Sequence, residues 1–170
     1  MDFYTKLAKD TIEQYLKLGK IMAVPKGLPK EMLLNKAGVF VSLHRQGQLR
    51  GCIGTLQATT DSIAQEIIQN ALSAALEDPR FNPLEANELP DLVISVDILN
   101  PAELIKDRKE LDLKKYGIIC QSEYKKGLLL PDIEGVDSIA EQIEIACRKA
   151  DINPNKEKFD IYKFTVTRHE

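Results

Sequence analysis

The sequence predicts an α+β protein in which antiparallel sheets pack against helices. Three observations carry that expectation. Apolar stripes at three-and-four spacing mark helices near 3–18, 63–76 and 139–150. Two pairs of short strand-like segments, 38–45 with 49–55 and 118–120 with 127–130, each flank a turn-like stretch. No strand–helix–strand rhythm of the kind that builds a parallel sheet runs through the chain.

The first helix places Tyr4, Leu7, Ala8, Thr11, Ile12 and Tyr15 on one face, and Gly19 is its natural stop. Residues 23–36 read as a loop punctuated by Pro25, Gly27 and Pro29. Strands 38–45 and 49–55 follow, joined through Gln46-Gly47-Gln48. Thr60, Asp61 and Ser62 are N-cap candidates for the second helix. Its stripe runs from Ile63 through Ile67, Ala71 and Ala75, and Pro79 ends it. Leu92, Ile94, Val96 and Ile98 alternate as a strand closed by Asn100-Pro101. The second hairpin comes next, and then a helix capped by Asp137 or Ser138 with Ile139, Ile143, Ala146, Cys147 and Ala150 on its stripe. A strand over 159–166 closes the pattern. The 170 residues are therefore expected to form one domain, or one domain with a small appended lobe.

Composition narrows the function classes. With 23 Lys and Arg against 26 Asp and Glu, the formal charge is -3, without the basic face of a nucleic-acid binder. The pairs Arg108-Lys109, Lys114-Lys115 and Lys125-Lys126 read as solvated surface. No apolar run is long enough to span a bilayer, and the first residues lack a secretory layout, so a cytoplasmic location is expected. The 3 cysteines, Cys52, Cys120 and Cys147, lie far apart, which suggests neither a disulfide framework nor a zinc site. No dinucleotide, P-loop, zincin or nucleophile-elbow motif occurs. Neither a metal nor a cofactor is predicted, and composition leaves the reaction open.

The first hairpin says more. Val41, Leu43, Leu49 and Ile53 are its aliphatic positions, and a three-residue turn centred on Gly47 puts all of them on one face. The opposite face then holds Phe40, Ser42, His44, Arg50, Cys52 and Gly54. In that register Ser42 lies across from Cys52. His44 pairs with Arg50 and sits diagonal to Cys52 at ~7–8 Å. A thiol beside an Arg and within reach of an imidazole is a candidate nucleophile, with His44 as a secondary catalytic candidate. Gly51 and Gly54 suit a strand that something approaches closely. The alternative is that Cys52 is a small packed residue and that Arg50 pairs with a nearby acid.

The same residues carry a resemblance. Leu49-Arg50-Gly51-Cys52-Ile53-Gly54-Thr55 is similar to the LRGCIGT signature of the AMMECR-type domain family, whose prokaryotic members are called protein A of AmmeMemoRadiSam systems. Ala74 to Phe81 resembles the family's AAxxDPRF segment, and Glu88-Leu89-Pro90-Asp91-Leu92 resembles its ELPxL stretch. Tyr116 to Ile119, Gly127 to Pro131 and Ile161 to Phe164 match later elements in order. The loop at 132–136 departs from the pattern.

The resemblance implies an α+β fold of two unequal lobes with a cleft between them, lined by the strand at 50–55. It implies a component of a modification or redox system that acts with Memo-like and radical-SAM proteins. Two other readings stay open: a stand-alone cysteine-dependent enzyme using Cys52, and a noncatalytic protein-binding adaptor. Arg50, Gly51, Gly54, Thr55 and Arg80 are the binding candidates. Arg80 could hold an anion or pair with Asp78, and Phe81 could wall a cleft or plug the core. Cys120 and Cys147 read as core.

Overall fold

The computed structural model describes residues 2–170. It divides into two compact units, one formed by the chain up to Leu99 together with Thr167–Glu170, the other by Asn100–Val166.

In the first unit, helix α1 (Phe3–Leu18) begins where the Asp2 side chain accepts the amides of Tyr4 and Thr5. It stops at Gly19, whose φ of 64° is the left-handed C-cap that glycine adopts without strain. A short helix α2 (Lys30–Leu34) lies inside the stretch expected to be loop. Pro29 suits the entry to a helix, and Met32 is fully buried, so one apolar anchor orders the segment. Helix α3 (Ile63–Leu76) starts at Ser62, whose side chain accepts the Gln65 amide. Its buried residues Ala64, Ile67, Ala71 and Ala74 join Leu7, Ile12, Val41, Leu43 and Val96 in one core.

That core lies against one face of an antiparallel sheet with strand order β2-β1-β3-β8. The strands are β1 (Val39–Arg45), β2 (Gln48–Gly54), β3 (Leu92–Leu99) and β8 (Val166–His169). The turn between β1 and β2 is two residues long rather than three. Gln46 and Gly47 have φ of 52° and 76°, and Arg45 pairs with Gln48. Positive φ at both central residues gives the twist that joins hairpin strands.

The shorter turn shifts the register, and a bulge restores it. Val41 pairs with Ile53, Ser42 with Cys52 and Leu43 with Gly51, as expected, but His44 pairs with Leu49. Arg50 is the extra residue. Two expectations are thereby corrected. His44 does not face Arg50, and Leu49 leaves the aliphatic face for that of His44, where it is 39% exposed. Val93, opposite His44 on β3, is 64% exposed.

In the second unit the strand order is β4-β7-β5-β6. The strands are β4 (Glu103–Leu104), β5 (Gly117–Ser122), β6 (Lys125–Leu129) and β7 (Asp160–Phe164), and helix α4 (Ile139–Lys149) covers them. Ile118, Cys120, Ile143, Ala146, Cys147 and Ile161 form the core. The strand expected over 159–166 is two strands, β7 and β8, in different sheets. Thr165 separates them: its carbonyl accepts the Asn100 amide, and its hydroxyl accepts Asn100 Nδ2. Among the described residues no helix is long and apolar enough to cross a membrane.

Candidate functional site

The candidate site is built on β2, an edge strand, and begins with Cys52. Helix α3 packs against β1 and β2 on the side of Leu43 and Gly51. A Cβ on Gly51 would collide with the carbonyl oxygen of Ala74, so this glycine lets helix and strand backbones meet. Cys52 follows Gly51 by one residue and therefore faces away from the helix. Its Sγ lies 3.2 Å from Ser42 Oγ. Ser42 in turn pairs with Ser95 on β3, so Cys52, Ser42 and Ser95 form one cross-strand row.

The neighbouring rows differ in character. On one side stand Leu49, His44 and Val93. On the other, Gly54, Phe40 and Asp97 line up, with the Phe40 ring lying where a Gly54 Cβ would be. Asp97 is buried and accepts Arg168 through both oxygens, at 2.8 and 2.9 Å.

An ion pair grips the outer edge of β2 at Cys52. The Cys52 amide donates to Asp78 Oδ2 at 2.9 Å, and Arg80 Nη2 donates to the Cys52 carbonyl at 3.3 Å. Asp78 also accepts Arg80 Nε at 3.0 Å, Nη2 at 2.8 Å and the Arg80 amide at 3.1 Å. The Arg80 guanidinium pulls the Asp78 carboxyl far below the usual carboxylate range, against the opposing effect of burial. Asp78 and Arg80 thus hold both backbone polar groups of one edge residue, and the Arg80 side chain still keeps 55% of its exposure.

Arg50 goes elsewhere. Nε and Nη2 make a two-pronged contact with Glu88 at 2.9 and 3.0 Å, and Nη1 reaches the Asn82 carbonyl at 3.0 Å. Glu88 also accepts Arg45 Nη1 at 3.1 Å. The Arg50 guanidinium holds the Glu88 carboxyl down to about 2 despite its burial. The expectation that Arg50 flanks the thiol is corrected: the bulge releases its side chain, which ties β2 to the 82–88 segment. The Phe81 ring lies between the two cations, 5.9 Å from Arg50 Cζ and 5.5 Å from Arg80 Cζ.

Thr55 also has an internal partner. Its hydroxyl donates to Glu66 Oε1 at 2.6 Å and accepts Asn70 Nδ2 at 3.1 Å. Glu66 is fully buried and accepts the amides and hydroxyls of Thr59 and Thr60 as well. Burial works to raise its pKa, but the bonds from Thr55, Thr60 and Thr59 outweigh it and hold the carboxylate ionised. Sequence reasoning missed Glu66, Asn70 and Glu88. The available signal was Glu66 and Asn70 at helical spacing beside the apolar stripe of α3, with threonines just upstream.

The structure thus brings together Cys52, Ser42, Asp78 and Arg80, and separates them from His44 and Arg50. Among the described residues, no group of three or more His, Cys, Asp or Glu side chains is arranged to hold a metal. Two open grooves of about 790 and 780 Å³ lie in the second unit and share Arg108 and Glu157.

A family model described as AMMECR1 matches residues 5–169. A Thermotoga maritima protein is 48% identical over 168 residues, covering 98% of this chain and 97% of its own length. A Clostridium acetobutylicum protein is 51% identical over 170 residues, covering 99% of this chain. The chain spans only 36% of that relative. The crystal structure of an uncharacterised protein from Pyrococcus horikoshii is similar at a TM-score of 0.87 and 35% identity, covering 98% of this chain and 88% of that one.

Proposed function

Because this chain belongs to the AMMECR1 family, we propose that it serves as a cytosolic component of a modification or redox system, acting with a Memo-like and a radical-SAM protein. In this reading the face of β2 that bears Cys52 is the surface it offers, with Ser42 buried beside it, and the Cys52 thiol is the group that engages partner or substrate. One observation carries the reading. The strand bearing Cys52 is fixed at its backbone by Asp78 and Arg80, while Arg50 is committed to Glu88 and His44 stands in another row. A thiol on a strand fixed by its backbone, with Arg50 engaged by Glu88 and His44 in the neighbouring row, fits a component completed by another protein better than a self-contained nucleophile. The Clostridium relative supports it, since about two-thirds of its polypeptide lies outside the matched region.

The test uses the chain as bait, with Memo-like and radical-SAM proteins from one genome as prey, followed by assay of the reconstituted mixture. Capture of a partner, with activity that disappears when Cys52 is alkylated, is the expected result. Absence of capture together with a fast-alkylating Cys52 and turnover by the isolated chain would replace this reading with the stand-alone enzyme. Capture and activity indifferent to alkylation would leave a noncatalytic adaptor.

A further inference from the structure

We propose that the Asp78–Arg80 ion pair is a plug that closes the outer edge of β2 to strand addition, and that the strand it keeps out is β2 of a second copy of this chain. The need for a plug follows from the sequences of the edges. The edge strands are β2 and β8 of one sheet and β4 and β6 of the other. An unpaired edge is a template for another chain unless it is short, carries lysine or proline, or is covered. β4 and β8 have 2 and 4 residues, and β6, with 5, holds Lys125 and Lys126. β2 is the longest of them at 7 residues, with neither lysine nor proline. Its one charged side chain, Arg50, is turned to Glu88. The bulge at Arg50 disturbs one end of the strand. Beyond it, the alternation of an antiparallel pair leaves the backbone groups of Cys52 and Gly54 directed outward.

The plug sits on the first of those residues and imitates a neighbouring strand. Asp78 Oδ1 accepts the Arg80 amide two residues on, a local turn that aspartate favours. The Phe81 amide donates to the Asp78 carbonyl at 3.1 Å and closes the same turn around Pro79. Oδ2 is thereby presented to the Cys52 amide at 2.9 Å, and Arg80 Nη2 to the Cys52 carbonyl at 3.3 Å. A carboxylate oxygen stands where an added strand would bring its C=O, and a guanidinium N–H stands where it would bring its N–H. The Asp78 side chain is only 2% exposed, so the plug is seated in the fold and is not a loose surface pair.

Without the plug, β2 is complementary to itself. Two-fold antiparallel pairing about Cys52 lets each Cys52 exchange both backbone bonds with its counterpart and sets Gly54 against Arg50. The α-carbons of such a pair lie about 5.5 Å apart, a separation that a disulfide spans. Cys52 therefore reports the contact directly, whatever role its thiol has in the proposed system.

The experiment removes both halves of the plug together, so that no orphaned charge is left behind, and compares Asp78→Ala/Arg80→Ala with the unmodified full chain. Analytical ultracentrifugation under reducing conditions reads association. Mild oxidation followed by mass spectrometry then reads Cys52–Cys52 linkage between copies. The double variant should associate at least about tenfold more tightly. Its linked Cys52 peptides should rise in parallel, and the amides of β2 should exchange more slowly at the concentrations where it associates. Arg80→Lys, which keeps a donor at the Cys52 carbonyl, should restore much of the monomer when it replaces Arg80→Ala beside native Asp78. Should the double variant fail to fold, Arg80→Ala alone carries the test, since it strips only the half-exposed member and frees the Cys52 carbonyl. A folded variant that stays monomeric without Cys52 linkage would overturn the proposal. So would association without that linkage, or equal linkage in the unmodified chain. Equal linkage in Ile118→Ala, which weakens the other unit and leaves the plug intact, would overturn it as well, because general loosening and not the edge would then be the cause.

Discussion

Both units lay a helix across a strand glycine, Gly51 beneath the carbonyl of Ala74 in one and Gly127 beneath that of Ala146 in the other. Each places a cysteine beside that glycine, with opposite results. Cys52 follows Gly51 in the same strand, so the period of two sends its thiol to the face without the helix, where Ser42 meets it. Cys120 pairs with Gly127 across the ladder and shares its face, so its thiol is sealed under α4. One residue of parity decides whether a thiol is offered or enclosed. The surrounding electrostatics follow the same division. Buried or nearly buried carboxylates organise the first unit (Glu66, Asp78, Asp97 and Glu88), whereas Glu110 and Glu157 of the second, paired with Lys163 and Lys125, lie closer to solvent.

The shared half of this comparison breaks first under steric load. Valine is intrinsically the better strand residue, yet Gly51→Val and Gly127→Val should each cost about 3 kcal/mol or more, since a carbonyl rather than a flexible side chain must give way. The measurement is chemical denaturation with hydrogen exchange to tell the units apart. Gly51→Val should loosen Val41 and Leu43, and Gly127→Val should loosen Ile118 and Ile143. Either variant retaining full stability would show that the close approach is not what holds the helix.

Acid should separate the units next. Glu88 has its folded pKa depressed from 4.5 to about 2, and Asp78 is displaced in the same direction. A carboxyl lowered by folding stabilises fully above its unfolded value, and that contribution is lost as pH falls through the folded value. Glu88 alone should contribute on the order of 3 kcal/mol, lost progressively between about pH 4.5 and 2. Protection of amides around Leu43 should therefore collapse before that around Ile118 as pH is lowered, and Glu88→Gln should flatten the pH dependence of the first unit while weakening it at neutral pH. Identical acid profiles for the two units would contradict the electrostatic half of the comparison.

What the sequence made legible follows from the range of the interactions involved. Helix α1 and its stop at Gly19 depend on neighbours within one turn, and both were readable. The placement of Ser42 opposite Cys52 followed from aliphatic alternation, which survives a bulge nearer the turn. The bulge itself was not readable, because Gln46 is not among the residues that usually advertise positive φ. Nor was the destination of Arg50, whose acceptor Glu88 lies far along the chain and becomes a neighbour only after β3 docks beside β1. The split between β7 and β8 escaped for a subtler reason. Alternation continues in phase through Thr165, and only its two bonds with Asn100 reveal the change of sheet.

The smallest expected effect tests the parity argument most sharply, because it compares the same substitution at two cysteines. Cys120→Ser places a hydroxyl among Ile118, Ile143 and Ile161 and should cost about 1–2 kcal/mol, since the Ile143 carbonyl, 4.0 Å from the sulfur, is too far for a good hydroxyl hydrogen bond. Cys52→Ser places the same hydroxyl beside Ser42 Oγ, an existing partner, on a strand whose backbone Asp78 and Arg80 already hold. Its stability change should stay within about 0.5 kcal/mol. Function should respond in the opposite order, with Cys52→Ser abolishing activity of the reconstituted system and Cys120→Ser sparing it per folded molecule. Melting temperatures and reconstituted activity, measured on both variants together, decide the matter. A Cys52→Ser protein that melts early yet keeps full activity when folded would mean that the strand, held by its glycines and its ion pair, matters and the thiol does not.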